Sequence, residues 1–105
     1  MTPAVLHILL SLAAEDRHGL GIAADVKEFT DGRLVLGPGT LYGTIKRLLD
    51  ADMVEDLGQP GGGEDDPRRR YYRITAKGRK ALAAETAGLA SVVNVARRRR
   101  VLKTS

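Results

Sequence analysis

The sequence predicts a mainly α-helical α+β domain, three helices with a small β-hairpin, continued by one long terminal helix. Three observations predict it. Residues Pro3 to Ala14 are apolar apart from His7 and Ser11, and two later segments repeat apolar residues at helical spacing. Two short strand-like runs bracket a loop rich in Gly, Pro and acids from Gly58 to Pro67. Past Thr75 a helical stripe runs almost to the end of the chain.

A helix that is apolar around most of its axis must be buried on more than one side. One small domain hardly covers it, so Pro3 to Ala14 is expected to face both its own core and a second subunit, with Leu6, Leu9 and Leu10 in the contact. Glu15 to Gly19 is a polar break. Ile22, Val26 and Phe29 then recur at i, i+4 and i+7, which predicts an amphipathic helix from about Gly19 to Thr30. Asp31 and Gly32 are turn formers, and Leu34 to Leu36 reads as a short edge strand. Gly37, Pro38, Gly39 and Thr40 open a third helix, because proline suits the first helical turn, where its missing amide hydrogen is not needed. In that helix Leu41, Ile45, Leu48 and Leu49 share one face, and Gly43, Lys46, Arg47 and Asp50 fall on the opposite one. A face that is small at its start and basic in its middle suits a major groove: glycine permits close approach, and the cations meet phosphates or base edges.

Met53 to Leu57 reads as a strand and Arg68 to Thr75 as its returning partner, with Tyr72 and Ile74 on the side opposite Tyr71 and Arg73. Thr75 is a good N-cap for a last helix from Ala76 to about Leu102, roughly 40 Å long at 1.5 Å per residue. Leu82, Leu89, Val93 and Ala96 form its stripe, and so long an arm needs a partner to bury it. Gly88 weakens this helix by about 1 kcal/mol relative to alanine, so packing is expected to compensate there. Helix, helix, short strand, helix, hairpin, long helix is the order of a winged helix-turn-helix domain with a dimerisation helix appended. The expected division is residues 1–75 for DNA binding and 76–105 for dimerisation and a basic tail.

Charge and composition narrow the function. The 105 residues carry a net charge of +4. Residues 1–57 hold five Lys/Arg against nine Asp/Glu, a net −4, and residues 58–105 hold twelve against four, a net +8. A localised basic stripe points to a polyanionic partner. The chain has no cysteine, which excludes disulfides, thiolate metal sites and cysteine nucleophiles and suits a reducing cytoplasm. No Lys or Arg precedes the run from Val5 to Ala14, and that run is far shorter than the roughly 20 residues that cross a bilayer, so neither a secretory leader nor a membrane segment is expected.

No enzyme, cofactor or metal is expected either. The turn at Gly37 to Thr40 lacks the Gly-Lys-Ser/Thr ending of a nucleotide-binding loop, and His7 and His18 have no clustered third ligand for zinc. Glu64, Asp65 and Asp66 sit in a Gly-rich loop with nothing to raise a pKa or hold geometry. Their closeness to Arg68 offers a way to hold the wing off non-specific phosphate. The run Arg97 to Arg100 reads as a solvated terminus in preference to a DNA contact.

Four stretches carry a resemblance: His18-Gly19-Leu20-Gly21-Ile22, Leu36-Gly37-Pro38-Gly39-Thr40-Leu41-Tyr42, Arg68-Arg69-Arg70-Tyr71-Tyr72 and Thr75-Ala76-Lys77-Gly78. Together, over about residues 4 to 85, the chain resembles the PadR-like transcriptional regulators of the short subgroup. The resemblance implies a homodimer on a pseudo-palindromic operator in double-stranded DNA, usually a repressor released by a small molecule or other signal. It also implies that the third helix enters the major groove while the basic wing flanks it. Carried over by position, Thr40, Tyr42 and Lys46 are the expected recognition contacts and Arg68, Arg69 and Arg70 the wing contacts; Gly43, Arg47 and Lys77 complete the expected DNA-facing set. Tyr42 flanks the apolar face, so packing competes with a phosphate hydrogen bond. Leu20 stands where the family often has an aromatic residue, which removes a tyrosine hydroxyl contact there. With no Trp and one Phe, a large pore that stacks flat aromatic ligands is not expected. The competing expectation is a winged-helix adaptor that binds protein or RNA.

Overall fold

The computed structural model describes residues 1–60 and 66–103. Gly61 to Gly63, Glu64 and Asp65, the middle of the expected wing loop, lie outside the described residues. Four helices and a three-stranded antiparallel sheet follow in the order α1 Pro3–Ala14, β1 Arg17–His18, α2 Gly19–Phe29, α3 Pro38–Asp50, β2 Val54–Gly58, a 3₁₀ turn Pro67–Arg69, β3 Tyr71–Ile74 and α4 Ala76–Arg98. The sheet order is β1-β3-β2.

Local chemistry sets the helix starts. The Thr2 hydroxyl accepts from the Val5 N–H at 3.2 Å ahead of Pro3, and the Thr75 hydroxyl accepts from the Gly78 N–H at 3.0 Å. Each satisfies one of the amide hydrogens that a helix N-terminus leaves unpaired. Ile8, Leu9 and Leu12 of α1, Ile22 and Val26 of α2, and Leu41, Ile45 and Leu48 of α3 are at most 3% exposed, and they meet Tyr72 and Ile74 from the inner face of β3. The pleat of the hairpin therefore runs as expected, with Tyr71 half-buried and Arg73 exposed on the other face.

Three strand expectations are corrected. Leu34 to Leu36 is not a strand: the Thr30 hydroxyl donates to the Val26 carbonyl at 2.8 Å and accepts from the Leu34 N–H at 3.1 Å, so a side chain takes the hydrogen bond that a ladder would have needed. Leu36, 7% exposed, instead plugs the core. The third strand comes from the polar break, where Arg17 pairs with Tyr72 and His18 with Tyr71. The returning strand begins at Tyr71 rather than Arg68, because the Asp66 carboxylate accepts from the Arg68 N–H at 3.0 Å and winds Pro67–Arg69 into a tight turn. Gly58, in the left-handed region at φ +81°, opposes Tyr71 across a register shift and re-aims the hairpin where it opens.

The terminal helix stops at Arg98, four residues short of the expected Leu102. Arg100 turns left-handed at φ +60° and the Val101 N–H bonds back to the Ala96 carbonyl at 2.9 Å, which closes the helix end. Its 23 residues span about 35 Å. Only Gly78 and Leu82 are buried along it. Gly78 has no alternative, since a Cβ there would collide with the Met53 carbonyl oxygen.

Two expected dimer contacts are also corrected. Leu9 is fully buried and Leu82 is 7% exposed, so both belong to the core of their own chain and offer nothing to a partner. Leu10 and Val93, each 36% exposed, and Leu89, 45% exposed, stay on the surface, while Leu6 and Ala96 are half-buried. Val92, 65% exposed and one position from the expected stripe, joins them. At 100° per residue, Leu89, Val92, Val93 and Ala96 continue the line on which Gly78 and Leu82 are buried.

Candidate nucleic-acid interface

Pro38 begins α3 behind Gly37, and the apolar face that buries Leu41, Ile45 and Leu48 leaves Thr40, Lys46, Arg47 and Asp50 exposed, with Gly43 half-buried between them. Thr44 is buried at 3% exposure, a position that the helical spacing alone did not single out. Neither Lys46 nor Arg47 is in an ion pair among the described residues. The outer face of α3 therefore presents two uncompensated cations.

Tyr42 is corrected as a DNA contact. Its hydroxyl is buried without a hydrogen-bond partner among the described residues, and burial pushes its pKa above the usual tyrosine value. A Cβ at Gly19 would come within 2.6 Å of that hydroxyl, so Gly19 is required for the close seat of α3 on the start of α2. The tyrosine sets the angle between the two helices rather than reaching outward.

His18 has a role that was not expected. Its Nδ1 accepts from the Gly21 N–H at 2.8 Å, capping α2, and its ring stands edge-on to Tyr71 with centroids 5.4 Å apart. Nδ1 is therefore the unprotonated nitrogen. One residue thus ties the start of α2 to the hairpin. The signal lay in its place just before Gly19, where a capping side chain is needed.

The basic turn sits beside these elements. An open cleft of about 360 Å³ is lined by His18 and Leu20, by Gln59 and Pro60 at the end of β2, and by Arg68, Arg69 and Tyr71. Arg68 forks onto Asp66, with Nε at 3.1 Å and Nη2 at 3.0 Å, while the Asp66 N–H donates to Gln59 Oε1 at 3.3 Å. Arg70 Nε donates to Asp56 Oδ2 at 2.8 Å. Arg73 forks onto Asp16 at 3.2 and 2.8 Å. Arg69 is exposed and in no ion pair among the described residues.

These pairs move the acids as expected for carboxylates that accept charged hydrogen bonds. The hydrogen bond from the Arg68 side chain, then that from its N–H, holds Asp66 below the usual carboxylate range, and Arg73 does the same for Asp16. Burial pushes Asp56 up, but the Arg70 side chain and the Gly58 N–H together outweigh it. The Arg68 and Arg73 guanidinium groups are raised in turn.

The structure thus brings Thr40, Gly43, Lys46 and Arg47 onto one face of α3, and Arg68 and Arg69 onto a 3₁₀ turn packed on α2, with Arg70 just after it. Lys77 is exposed on the first turn of α4. Among the described residues no helix is long and apolar enough to cross a membrane, and no three His, Asp or Glu side chains converge as a metal site.

Comparison with known proteins gives the same outline. The family model of the PadR-like transcriptional regulators matches residues 5–84. An uncharacterised 37.1 kDa protein of transposon TN4556 from Streptomyces fradiae is 34% identical over 83 residues, which cover 79% of this chain and 22% of the relative. The chain thus spans about a fifth of that protein's length. A PadR family transcription regulator from Clostridium difficile is 25% identical and superposes with a TM-score of 0.75, covering 92% of this chain and 97% of the other. Bacillus subtilis PadR in complex with operator DNA shares the fold, with a TM-score of 0.67 at 20% identity over 78% of this chain and 45% of that one.

Proposed function

The chain belongs to the PadR-like family of transcriptional regulators, not to a family of enzymes, and from that premise we propose that it is a homodimeric repressor of a pseudo-palindromic operator in double-stranded DNA. One observation carries the reading: the uncompensated Lys46 and Arg47 on the outer face of α3 lie on the same head as the exposed Arg69 of the basic turn. A helix enters the major groove at its polar face, and a flanking basic turn reaches the phosphates beside it. Thr40, Gly43, Lys46 and Arg47 act as the groove-facing set; Arg68, Arg69 and Arg70 flank it, with Lys77 as an outlying phosphate contact.

The second half of the proposal rests on α4. Its first two turns, through Gly78 and Leu82, are anchored in the head, so residues 1–75 and the start of α4 work together as the DNA-binding part. The remainder, with Leu89, Val92, Val93 and Ala96, pairs with a second copy along Leu6 and Leu10 of α1. Gly88, with nothing within 4 Å of where a Cβ would stand, allows a close crossing there. Repression follows from occupancy of an operator near a promoter in the cytoplasm, and an effector molecule would release it.

The test is a comparison of duplexes. Bound sites are selected from a random pool, and affinity for the recovered sequence is measured against a random duplex of equal length across a salt series. A preference of about 10³-fold or more for the selected site is expected. Weak affinity without sequence preference would overturn the regulator reading in favour of an adaptor.

A further inference from the structure

A basic wing ought to bind any duplex, since most generic affinity comes from cations that release counterions from phosphates. This wing is built otherwise. Two of its three arginines already hold carboxylates: Arg68 is forked on Asp66 and Arg70 is on Asp56 at 2.8 Å. Both acids are fixed by the backbone, Asp66 by accepting from the Arg68 N–H at 3.0 Å and Asp56 by accepting from the Gly58 N–H at 2.7 Å. Each acid is thus held in place by the wing's own backbone. By contrast, Lys46 and Arg47 on α3 carry no such partner among the described residues.

We infer that Asp66 and Asp56 are specificity-determining residues, internal counterions that suppress binding to generic DNA while leaving operator binding largely intact. The inference rests on the DNA-binding reading above and deepens it.

The argument is electrostatic. An arginine that already neutralises a carboxylate releases little when it meets a phosphate, and if it leaves the carboxylate it strands a negative charge beside a negative backbone. That like-charge approach is a repulsive element against every duplex alike. At the operator, α3 is held by base contacts, and the exchange of Arg68 or Arg70 from carboxylate to phosphate becomes an intramolecular step of a complex already formed. Generic sites lack that anchor. Discrimination therefore rises even though no base is contacted by either acid.

Asparagine isolates the charge, because it keeps the oxygen that accepts from the backbone N–H. Asp66→Asn and Asp56→Asn are each compared with wild type on a random-sequence duplex and on the duplex selected by the wild-type protein. On the random duplex Asp66→Asn is expected to bind about eightfold tighter at 0.1 M salt, and its log-log salt slope to steepen by about 0.9, the contribution of one added phosphate contact; Asp56→Asn, whose Arg70 has a further partner, is expected to move the same way by less. Affinity for the selected duplex is expected to change less, so the specificity ratio falls. Asp66→Asn combined with Arg68→Ala should lose the gain, which ties it to the freed arginine; thermal melting checks that each variant is folded. Unchanged random-duplex binding, or equal tightening on both duplexes, overturns the inference. Should the wild-type protein select no duplex at all, the DNA-binding reading itself fails, and this inference with it. A variant that melts below assay temperature is replaced by Asp66→Ser, which retains a capping oxygen and is read against the same outcomes.

Discussion

The head and the far half of α4 obey the same helical spacing and meet opposite fates. In the head the spacing singles out Ile22, Val26, Leu41, Ile45 and Leu48, all at most 3% exposed, together with Leu49, which is half-buried, and Phe29 at the end of α2, which against expectation is 44% exposed. Along α4 it singles out Leu89 and Val93, which are 45% and 36% exposed beside Val92 at 65%. Burying a side chain of this size contributes about 1.5–3 kcal/mol, so the head has already gained what the arm has not. A face of this kind, on the stretch of α4 beyond the turns buried against the head, is the surface on which the second copy is proposed to sit. The difference teaches that periodicity marks burial but does not say by which chain.

The largest effect should come from spoiling the arm. Leu89→Asp places a charge in the proposed seam, where desolvation without a partner is costly. The variant is expected to sediment as a monomer or to aggregate, and to lose about 10³-fold or more in affinity for the selected duplex. A folded dimer of undiminished affinity would move the seam elsewhere.

Most of this contrast was legible in the residues, and the exceptions have physical reasons. Helix α1 follows from a run that is apolar almost throughout, and α3 from its apolar spacing and from Pro38 at its start. Arg17–His18 was not legible as a strand because two residues carry no period; their pairing depends on the edge of β3, which is distant in sequence. Leu9 and Leu10 are neighbours with equal hydropathy, yet one is fully buried and the other 36% exposed, a distinction set by which side of α1 faces the core. At the interface, the cations of α3 and the basic turn were readable from composition. Their partners divide: Asp66 is two residues from Arg68 and its proximity was evident, whereas Asp56 reaches Arg70 only through the hairpin register. Tyr42 sat on the border of two faces, and Gly19 decided it by leaving space for the ring.

The head should answer to a different perturbation. Ile45→Ala leaves a cavity beneath the outer face of α3 and is expected to lower stability by about 2–5 kcal/mol in urea unfolding. Val92→Ala, exposed in the single chain, should leave the core intact and show its effect as weaker self-association at low protein concentration. Equal behaviour of the two variants would erase the distinction between head and arm.

Smaller effects lie on the head's polar surface. Lys46→Ala and Arg69→Ala should each flatten the log-log salt slope on duplex DNA by about one unit without altering the melting temperature. Unchanged slopes in both would remove them from the contact set. Smallest is the contribution of Asp16, whose pKa is held below its ordinary value by Arg73. A depressed carboxylate stabilises the fold above its unfolded value, near 3.9, and loses that contribution as pH falls through the folded one. Melting temperature should therefore be flat in this respect between about pH 5 and 7, and below about pH 4 should drop more steeply in wild type than in Asp16→Asn.

The central claim is that α4 pairs two heads so that their α3 helices are spaced to read one face of DNA. The absence of cysteine makes it directly measurable, since a Lys46→Cys variant takes a nitroxide at one position in each chain. Pulsed electron resonance on the labelled protein should give a single distance distribution centred near one DNA turn, about 34–36 Å between the helices and broadened by the label arms. The signal should vanish when Leu89→Asp is added. No dipolar signal from the variant that keeps Leu89, or a distance far from one turn, would contradict the account.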